Sequence, residues 1–294
     1  MDSILFQAAA KRGVPVPPPP HDTATLGELA AAIFVHPTRS GRRVPREEAY
    51  LETAQRREIA TSAGRLASWI WGGDDAAKPL VALVHGWEGH GAQLGAFAAP
   101  LVGAGFRVLA FDAPGHGESP GDEAHVPLIA RVLPELQAQT GPFFALIGHS
   151  MGAAAAAMST SLGVAARGLV LLAPPLSMAE RVERTAARMQ LEPELRAAFA
   201  AAVERRTASS LADVDMRVVA RAAPCPLLVF HDPEDSDTSF AAAEEIVAAW
   251  RGARLVPCPG RGHYRILATA EIVRQTVGFL GELRATDASS SRSI

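Results

Sequence analysis

Residues 143–153 read Phe143-Phe144-Ala145-Leu146-Ile147-Gly148-His149-Ser150-Met151-Gly152-Ala153. An apolar run of strand length ends at Gly148, an alanine-rich helical pattern follows Gly152, and the segment between them fits the pattern G-x-S-x-G. A serine hydroxyl is a weak nucleophile unless a sharp turn holds it out of the fold, beside a base and amide donors. Such a turn brings strand and helix so close that only glycine fits at both flanking positions. The stretch therefore predicts Ser150 as a nucleophile, with a glycine turn of no catalytic role as the alternative.

Strands alternate with helices on both sides of this turn. The predicted strands are a hairpin of 58–61 and 66–71, followed by 80–84, 107–111, 143–148, 168–172, 226–230 and 254–257. The predicted helices are 93–104, 123–138, 151–164, 240–251 and 269–283. This alternation implies right-handed crossovers and a mostly parallel sheet with helices on both faces.

Composition and charge exclude several classes of protein. The chain has 294 residues, of which 48% are hydrophobic, so it can bury a large core as one domain with or without an insertion. A net charge of -3 gives no electrostatic basis for a nucleic-acid partner. No apolar run is long enough to span a bilayer.

The cysteines and the first residues indicate the compartment. Cys225 and Cys258 are expected at opposite ends of two parallel strands, too far apart for a disulfide, which fits a reducing compartment. Asp2 comes early, and Lys11 and Arg12 follow the brief apolar stretch instead of preceding it, which argues against a signal peptide. These features predict a soluble, cytoplasmic protein.

Four motifs in order resemble the α/β-hydrolase superfamily over about residues 57–284. They are His85-Gly86-Trp87, Asp112-Ala113-Pro114-Gly115-His116-Gly117-Glu118-Ser119, the Ser150 turn, and His231-Asp232-Pro233-Glu234-Asp235 with His263 after it. The resemblance implies an α/β-hydrolase fold, with a mostly parallel central sheet, helices on both faces and a small helical cap. It is strongest to the serine esterase and monoacylglycerol-lipase-like branch.

A serine nucleophile needs a base, and the base needs a carboxylate. Among nine histidines, His263 follows a late strand in a glycine-flanked turn and comes last in the order Ser, Asp, His of this topology. The family pattern H-G-x-x-D places its acid at Asp235. Asp232 stands at the usual glycine position and is the alternative acid.

The resemblance also implies two backbone donors for an oxyanion. One is the Met151 N–H, next to the nucleophile, and the other is the Trp87 N–H, after His-Gly. The Trp87 side chain either lines an acyl pocket or belongs to the core. His85, His116 and Asp112 are interpreted as structural braces of nearby loops.

The pattern divides the chain into four parts. Residues 1–48 form a proline-rich N-terminal arm outside the expected core, either packed on the surface or serving as a partner site. Residues 49–175 and 223–284 form the core, residues 176–222 a helical cap insertion, and residues 285–294 a disordered tail. Within the insertion, Leu195, Phe199 and Val203 recur at steps of four and give one apolar face.

The predicted function is that of a serine hydrolase for a small-molecule carboxylic ester, or a thioester or amide, with no cofactor and no metal. One alternative is an acyltransferase, because the same acyl-enzyme serves both reactions. A second is a non-catalytic binding module on the same scaffold. A metal site at His85, Glu88 and His90 is disfavoured because the spacing fits no known metal motif. Substrate identity and oligomeric state are not encoded in these patterns.

Overall fold

The computed structural model describes residues 2–39, 43–223 and 225–290. Residues 1 and 40–42 of the predicted arm, and residues 291–294 of the predicted tail, lie outside the described residues. The strands are β1 (Gln55–Thr61), β2 (Gly64–Trp71), β3 (Leu80–Val84), β4 (Arg107–Phe111), β5 (Phe143–His149), β6 (Gly168–Leu172), β7 (Leu227–His231) and β8 (Ala253–Pro257).

The strands form one eight-stranded sheet in the order β1-β2-β4-β3-β5-β6-β7-β8. β1 pairs antiparallel with β2 as the predicted hairpin, β2 pairs antiparallel with β4, and all the other pairings are parallel. Every residue of β3, β4, β6 and β7 is buried, because helices cover both faces. This explains why these strands are continuous apolar runs and not alternating patterns. The predicted mostly parallel sheet is confirmed.

Twelve α-helices are present in the described residues. They are α1 (Asp2–Arg12), α2 (Thr23–Val35), α3 (Pro45–Glu52), α4 (Ala98–Gly103), α5 (Val126–Thr140), α6 (Met151–Ser161), α7 (Met178–Arg188), α8 (Pro193–Thr207), α9 (Met216–Ala222), α10 (Phe240–Ala249), α11 (Gly262–Arg265) and α12 (Ala270–Ser290). α5, α6, α9 and α10 pack on one face of the sheet, and α4 and α12 pack on the other.

Two predicted helices differ from the expectation at their first turns. The segment predicted as helix 93–104 is a 3₁₀ helix (Gly91–Phe97) followed by α4. Pro100 lies in the first turn of α4, where its missing N–H needs no partner. α5 begins at Val126 because the His125 ring accepts a hydrogen bond from the Leu128 N–H and caps the helix.

The C-terminal helix is longer than predicted. α12 continues to Ser290 and so includes residues 285–290 of the segment expected to be disordered. Contacts within and outside the helix stabilise this extension, since Thr286 Oγ1 donates to the Glu282 carbonyl at 3.0 Å and Asp287 pairs with Arg167 at 3.0 Å.

The N-terminal residues pack on the rest of the molecule, which is the first of the two alternatives for the arm. α1 and α2 share an apolar cluster with α7 and α8, in which Leu5 and Ile33 lie with Phe199 and Val203. The Phe34 and Phe199 rings meet edge-on with centroids 5.7 Å apart. The predicted apolar face of the insertion therefore packs against the N-terminal helices.

The helical insertion is also shorter than predicted. α9 belongs to the core, since Met216, Val219 and Ala220 recur at helical spacing and join the apolar cluster on the α6 face of the sheet. Of the predicted insertion, only α7, α8 and the short connection after them stand outside the core.

Cys225 and Cys258 are free and buried, and they lie before β7 and after β8, at opposite ends of this parallel pair.

Candidate active site

Ser150 occupies a strained turn between β5 and α6. Its backbone has φ 51° and ψ -120°, in the left-handed half of conformational space that residues with side chains avoid. A Cβ at Gly148 would lie 2.6 Å from the Ala153 Cα, and one at Gly152 would lie 2.7 Å from the Val84 carbonyl carbon. Both glycines are therefore required by the close approach of strand and helix.

The loop after β3 lies against this turn. β3 and β5 are parallel neighbours, so their carboxyl ends share one edge of the sheet. A Cβ at Gly86 would stand 3.2 Å from the Ser150 Cβ, which shows how closely the loop approaches the serine. The carboxyl ends of β7 and β8 lie at the same edge and carry Asp235 and His263.

Asp235 and His263 are hydrogen-bonded to each other. His263 Nδ1 lies 2.8 Å from Asp235 Oδ2, and the two side chains are 7% and 0% exposed. Since a carboxylate only accepts, the proton of the neutral imidazole stays on Nδ1 and leaves Nε2 as an acceptor.

Several donors hold Asp235 in its ionised form. Its Oδ1 accepts from the Asp237 N–H at 2.7 Å and from the Thr238 N–H at 3.1 Å, and Thr238 Oγ1 lies 3.2 Å from Oδ2. Burial alone would raise the pKa of Asp235, but the hydrogen bonds from His263, Thr238 and Asp237 outweigh it and lower the pKa to about 2.

Asp232, the alternative acid, is directed elsewhere. Its Oδ1 accepts from the Glu234 N–H at 2.9 Å and its Oδ2 from the Gly262 N–H. Burial raises its pKa, but these and other backbone donors around Gly262 lower it overall. Asp232 thus connects the loop after β7 to the turn that carries His263.

His149 links the serine turn to the histidine turn. Its Nε2 lies 3.0 Å from the His263 carbonyl oxygen, and the two rings have centroids 4.7 Å apart. Burial and the neighbouring His263 lower the pKa of His149 to about 3, so the ring is neutral. Because His149 directly precedes Ser150, this contact joins the turn that carries His263 to the turn that carries the serine. Ser150 Oγ makes no hydrogen bond with the described part of the chain.

The two expected oxyanion donors belong to the first turn of α6 and to the loop after β3, the two segments that meet at Ser150. Met151 is the first residue of α6, where a backbone N–H has no partner within the helix. Trp87 follows Gly86 in the loop that contacts Ser150. The Trp87 ring is half-buried, lies edge-on to His116 at 5.9 Å, and belongs to none of the three apolar clusters formed by the described residues.

His85 and His116 brace backbone, as the sequence predicted. His85 Nε2 accepts from the Ala113 N–H at 2.9 Å while its Nδ1 bonds the Gly86 carbonyl at 2.8 Å. His116 Nε2 accepts from the Glu88 N–H at 3.0 Å. Burial lowers the pKa of both histidines, and so keeps them neutral and able to accept.

Asp112, directly after β4, supports the loop after β3 and the turn after β4. Its carboxylate accepts from the Gly91 N–H at 2.7 Å and from the Glu118 N–H at 2.8 Å. Gly117 lies so close to this carboxylate that a Cβ there would overlap it. The turn after β4 thus supports the loop after β3.

His85, Glu88 and His90, the residues considered for a metal site, each contact a different partner. Both His85 nitrogens bind backbone, Glu88 pairs with Arg12 at 2.8 Å, and His90 pairs with Glu47 at 3.4 Å. Within the described ranges, metal-ligating atoms converge at Asp235, Asp237 and His263, all within 4.8 Å of one another. Two of these groups are already hydrogen-bonded to each other as the acid and the base.

A surface cavity of about 670 Å³ lies beside the His263 turn. It is lined by Gln93 and Tyr264 among others, but by none of Ser150, Trp87 and His263. The cavity is therefore a neighbouring groove and not the space in front of the serine.

Sequence patterns did not identify two residues that shape this site. Thr238 holds Asp235, and its side chain also contacts the Ala173 carbonyl at 3.3 Å. His149 holds the His263 turn. The sequence shows Thr238 three residues after the acid and His149 inside the nucleophile turn. Their positions along the chain do not reveal which way their side chains point.

The chain is similar to proteins of one known family. The model of the alpha/beta hydrolase family matches residues 81–275. A serine hydrolase-like protein of Dictyostelium discoideum is 32% identical over 98 residues, which span 32% of this chain and 27% of that protein. The match thus covers much less than the whole length of the relative.

Solved structures share the fold at low identity. An esterase from Pyrococcus furiosus superposes with a TM-score of 0.61 at 19% identity, covering 85% of this chain and 97% of that one. A thermophilic esterase from Thermogutta terrifontis gives 0.57 at 22% identity, covering 78% and 99%. Among the helices of the described residues, none is both long and apolar enough to cross a membrane.

Proposed function

The chain belongs to the alpha/beta hydrolase family, and on this premise we propose that it is a serine hydrolase that cleaves a carboxylic ester through an acyl-enzyme on Ser150. The observation that carries the proposal is the 2.8 Å hydrogen bond between buried Asp235 and His263, on a turn that the residue before Ser150, His149, contacts through its ring. A nucleophile, a base and an acid at one sheet edge are the set that acyl transfer requires.

In the proposed first step, His263 Nε2 takes the proton of Ser150 Oγ while Oγ attacks the ester carbonyl. Asp235 stays ionised, because its pKa is about 2, and it stabilises the imidazolium that forms. The Trp87 and Met151 N–H groups donate to the oxyanion, and the amino end of α6 adds a favourable dipole.

In the proposed second step, the tetrahedral intermediate collapses and the alcohol leaves with the proton from His263. Water then gives a proton to His263 Nε2 and attacks the acyl carbon. The acid departs, the proton returns to Ser150 Oγ, and the cycle closes. Only protein groups and water take part, so the scheme needs no cofactor.

We infer that α7 and α8 cap this site together with α1 and α2. Arg184 of α7 donates to the Asp237 carbonyl at 2.5 Å and to the Ser236 carbonyl at 3.1 Å. Both acceptors belong to the loop that carries Asp235, which supports a cap at the acid. An esterase-like substrate would enter between this cap and the sheet edge.

The buried free thiols of Cys225 and Cys258 support a reducing compartment such as the cytoplasm.

The test is hydrolysis of a p-nitrophenyl ester series, from acetate to long acyl chains, by the wild type and by Ser150→Ala. We expect the variant to lose turnover by at least about 10³-fold, since the residual rate then comes from binding and the oxyanion donors alone. Equal rates for the two proteins would contradict the mechanism. Acyl transfer to added alcohols in preference to water would instead favour an acyltransferase.

A further inference from the structure

The last residue of the N-terminal helix α1 reaches the loop after β3. Arg12 Nη1 donates to Glu88 Oε1 at 2.8 Å and to the His36 carbonyl at 2.7 Å. Its guanidinium also lies 5.7 Å from the centre of the Trp87 ring. One side chain therefore connects the ends of α1 and α2 with the two residues that follow Gly86.

Glu88 is held at its backbone and at its side chain. Its φ of 53° places it in the left-handed region, which is uncommon for a residue with a long side chain. Its N–H donates to His116 at 3.0 Å, while its carboxylate accepts from Arg12 and from the Thr38 N–H at 2.9 Å. Strained backbone persists only where the surroundings fix it.

The strained residue is adjacent to the proposed oxyanion donor. The Gly89 N–H bonds the Gly86 carbonyl at 3.1 Å, so residues 86–89 form one tight turn with Trp87 and Glu88 at its centre. Rotation of the peptide units in this turn would move the Trp87 N–H away from the oxyanion. A displacement of about 1 Å in such a donor is enough to lower a rate by about 100-fold.

We propose that Arg12 is a positioning residue for the reaction: by binding Glu88 it fixes the 86–89 turn and directs the Trp87 N–H toward the oxyanion. This inference rests on the proposed function, because it uses Trp87 as an oxyanion donor. It also makes the N-terminal helix α1 part of the active site, although the helix contributes no group that touches substrate.

A second ion pair provides the matched control. Arg205 of α8 and Glu28 of α2 pair at 2.7 Å, and both side chains are exposed. This pair also attaches the N-terminal helices to the rest of the molecule, but its hydrogen bonds join α2 to α8 and not to the 86–89 turn. If Arg12 served only to attach the N-terminal segment, loss of either pair would have the same effect.

The experiment compares Arg12→Ala, Arg12→Lys, Glu88→Ala and Arg205→Ala on the best p-nitrophenyl ester, with the melting temperature of each variant. We expect Arg12→Ala and Glu88→Ala each to lower kcat by about 10- to 100-fold while KM changes less than about 2-fold. The variant that combines Arg12→Ala and Glu88→Ala should lose less than the product of the two single losses, because both substitutions break the Arg12–Glu88 contact. Arg12→Lys should recover part of kcat, and Arg205→Ala should keep the wild-type kcat.

Three outcomes would overturn the proposal. They are a wild-type kcat in Arg12→Ala, an equal loss in Arg205→Ala, and a loss in Arg12→Ala that appears in KM and not in kcat. If Arg12→Ala does not fold, Glu88→Ala tests the same contact from the other side. A wild type that cleaves no ester and is not labelled by a fluorophosphonate would instead refute the proposed function.

Discussion

At the scale of the residue, hydrogen bonds decide which carboxylate serves His263. Asp232 and Asp235 both follow β7, and the sequence spacing leaves both open. Both carboxylate oxygens of Asp232 accept hydrogen bonds from backbone N–H groups. Asp235 instead accepts a hydrogen bond from the His263 ring. Asp235 is thus assigned as the acid because its carboxylate points toward the His263 ring, and not because of its position along the chain.

Asp235→Asn tests that assignment. Asparagine keeps the size of the side chain but removes the charge and can reverse the bond to His263, so the imidazole takes the wrong tautomer. By analogy with other serine triads, we expect kcat to fall by about 10³- to 10⁴-fold with little change in KM. Steady-state kinetics on a p-nitrophenyl ester gives both values.

Glu234→Gln is the control for this measurement, since Glu234 lies in the same loop with an exposed side chain. We expect it to retain wild-type activity. A full rate in Asp235→Asn, or a matching loss in Glu234→Gln, would contradict the role of Asp235.

At the scale of the element, the β5–α6 turn depends on two close approaches that glycine alone permits. Gly152 lies against the Val84 carbonyl, so the amino end of α6 is pressed on the end of β3. This contact brings the Ser150 turn and the loop after β3 together. The stability of the fold and the geometry of the site therefore depend on the same residue.

Gly152→Ala should destabilise the protein by about 1–3 kcal/mol, because the new methyl group must displace backbone. Gly278→Ala in α12 is the matched control. A Cβ there meets no described atom within 4 Å, and alanine is favoured over glycine inside a helix by about 0.5–1 kcal/mol. Urea unfolding should show opposite shifts for the two variants, and shifts of the same sign would contradict this account of the turn.

Patterns along the chain predicted the strands well and the packing of helices only in part. The runs at β3 and β4 are each followed directly by a motif, so the ends of these strands follow from the sequence. Helix α1 was missed because its short pattern of Leu5 and Ala9 carries little signal without its partner. The spacing of Phe199 and Val203 showed that one face of α8 is buried, but periodicity does not reveal that α2 covers it.

At the scale of the whole molecule, buried histidines make stability depend on pH. Six histidines have a pKa lowered mainly by burial: His85, His90, His116, His125, His149 and His231. The values for His125 and His149 fall to about 4 and about 3. In the unfolded chain these histidines become protonated near pH 6.5, whereas in the folded chain they stay neutral to a lower pH.

Because the unfolded state binds more protons in this range, the free energy of unfolding falls as the pH decreases from about 6.5 toward 4. His125 and His149, whose pKa falls to about 4 and about 3, each contribute a slope of up to about 1.4 kcal/mol per pH unit in this range. Chemical unfolding at pH 7.5, 6, 5 and 4.5 should show this loss. His125→Asn keeps an acceptor at the start of α5 and should reduce the slope, and an unchanged slope would contradict the assignment of a buried neutral ring.

The central claim, a nucleophile at Ser150 activated by His263, is tested most directly by mass spectrometry after treatment with a fluorophosphonate. We expect the wild type to gain the mass of one phosphonyl group, located on the peptide that contains Ser150, and Ser150→Ala to gain none. Asp235→Asn should react much more slowly, because its base is held in the wrong tautomer. A wild type that stays unlabelled, or a Ser150→Ala variant that is labelled at the wild-type rate, would contradict the claim.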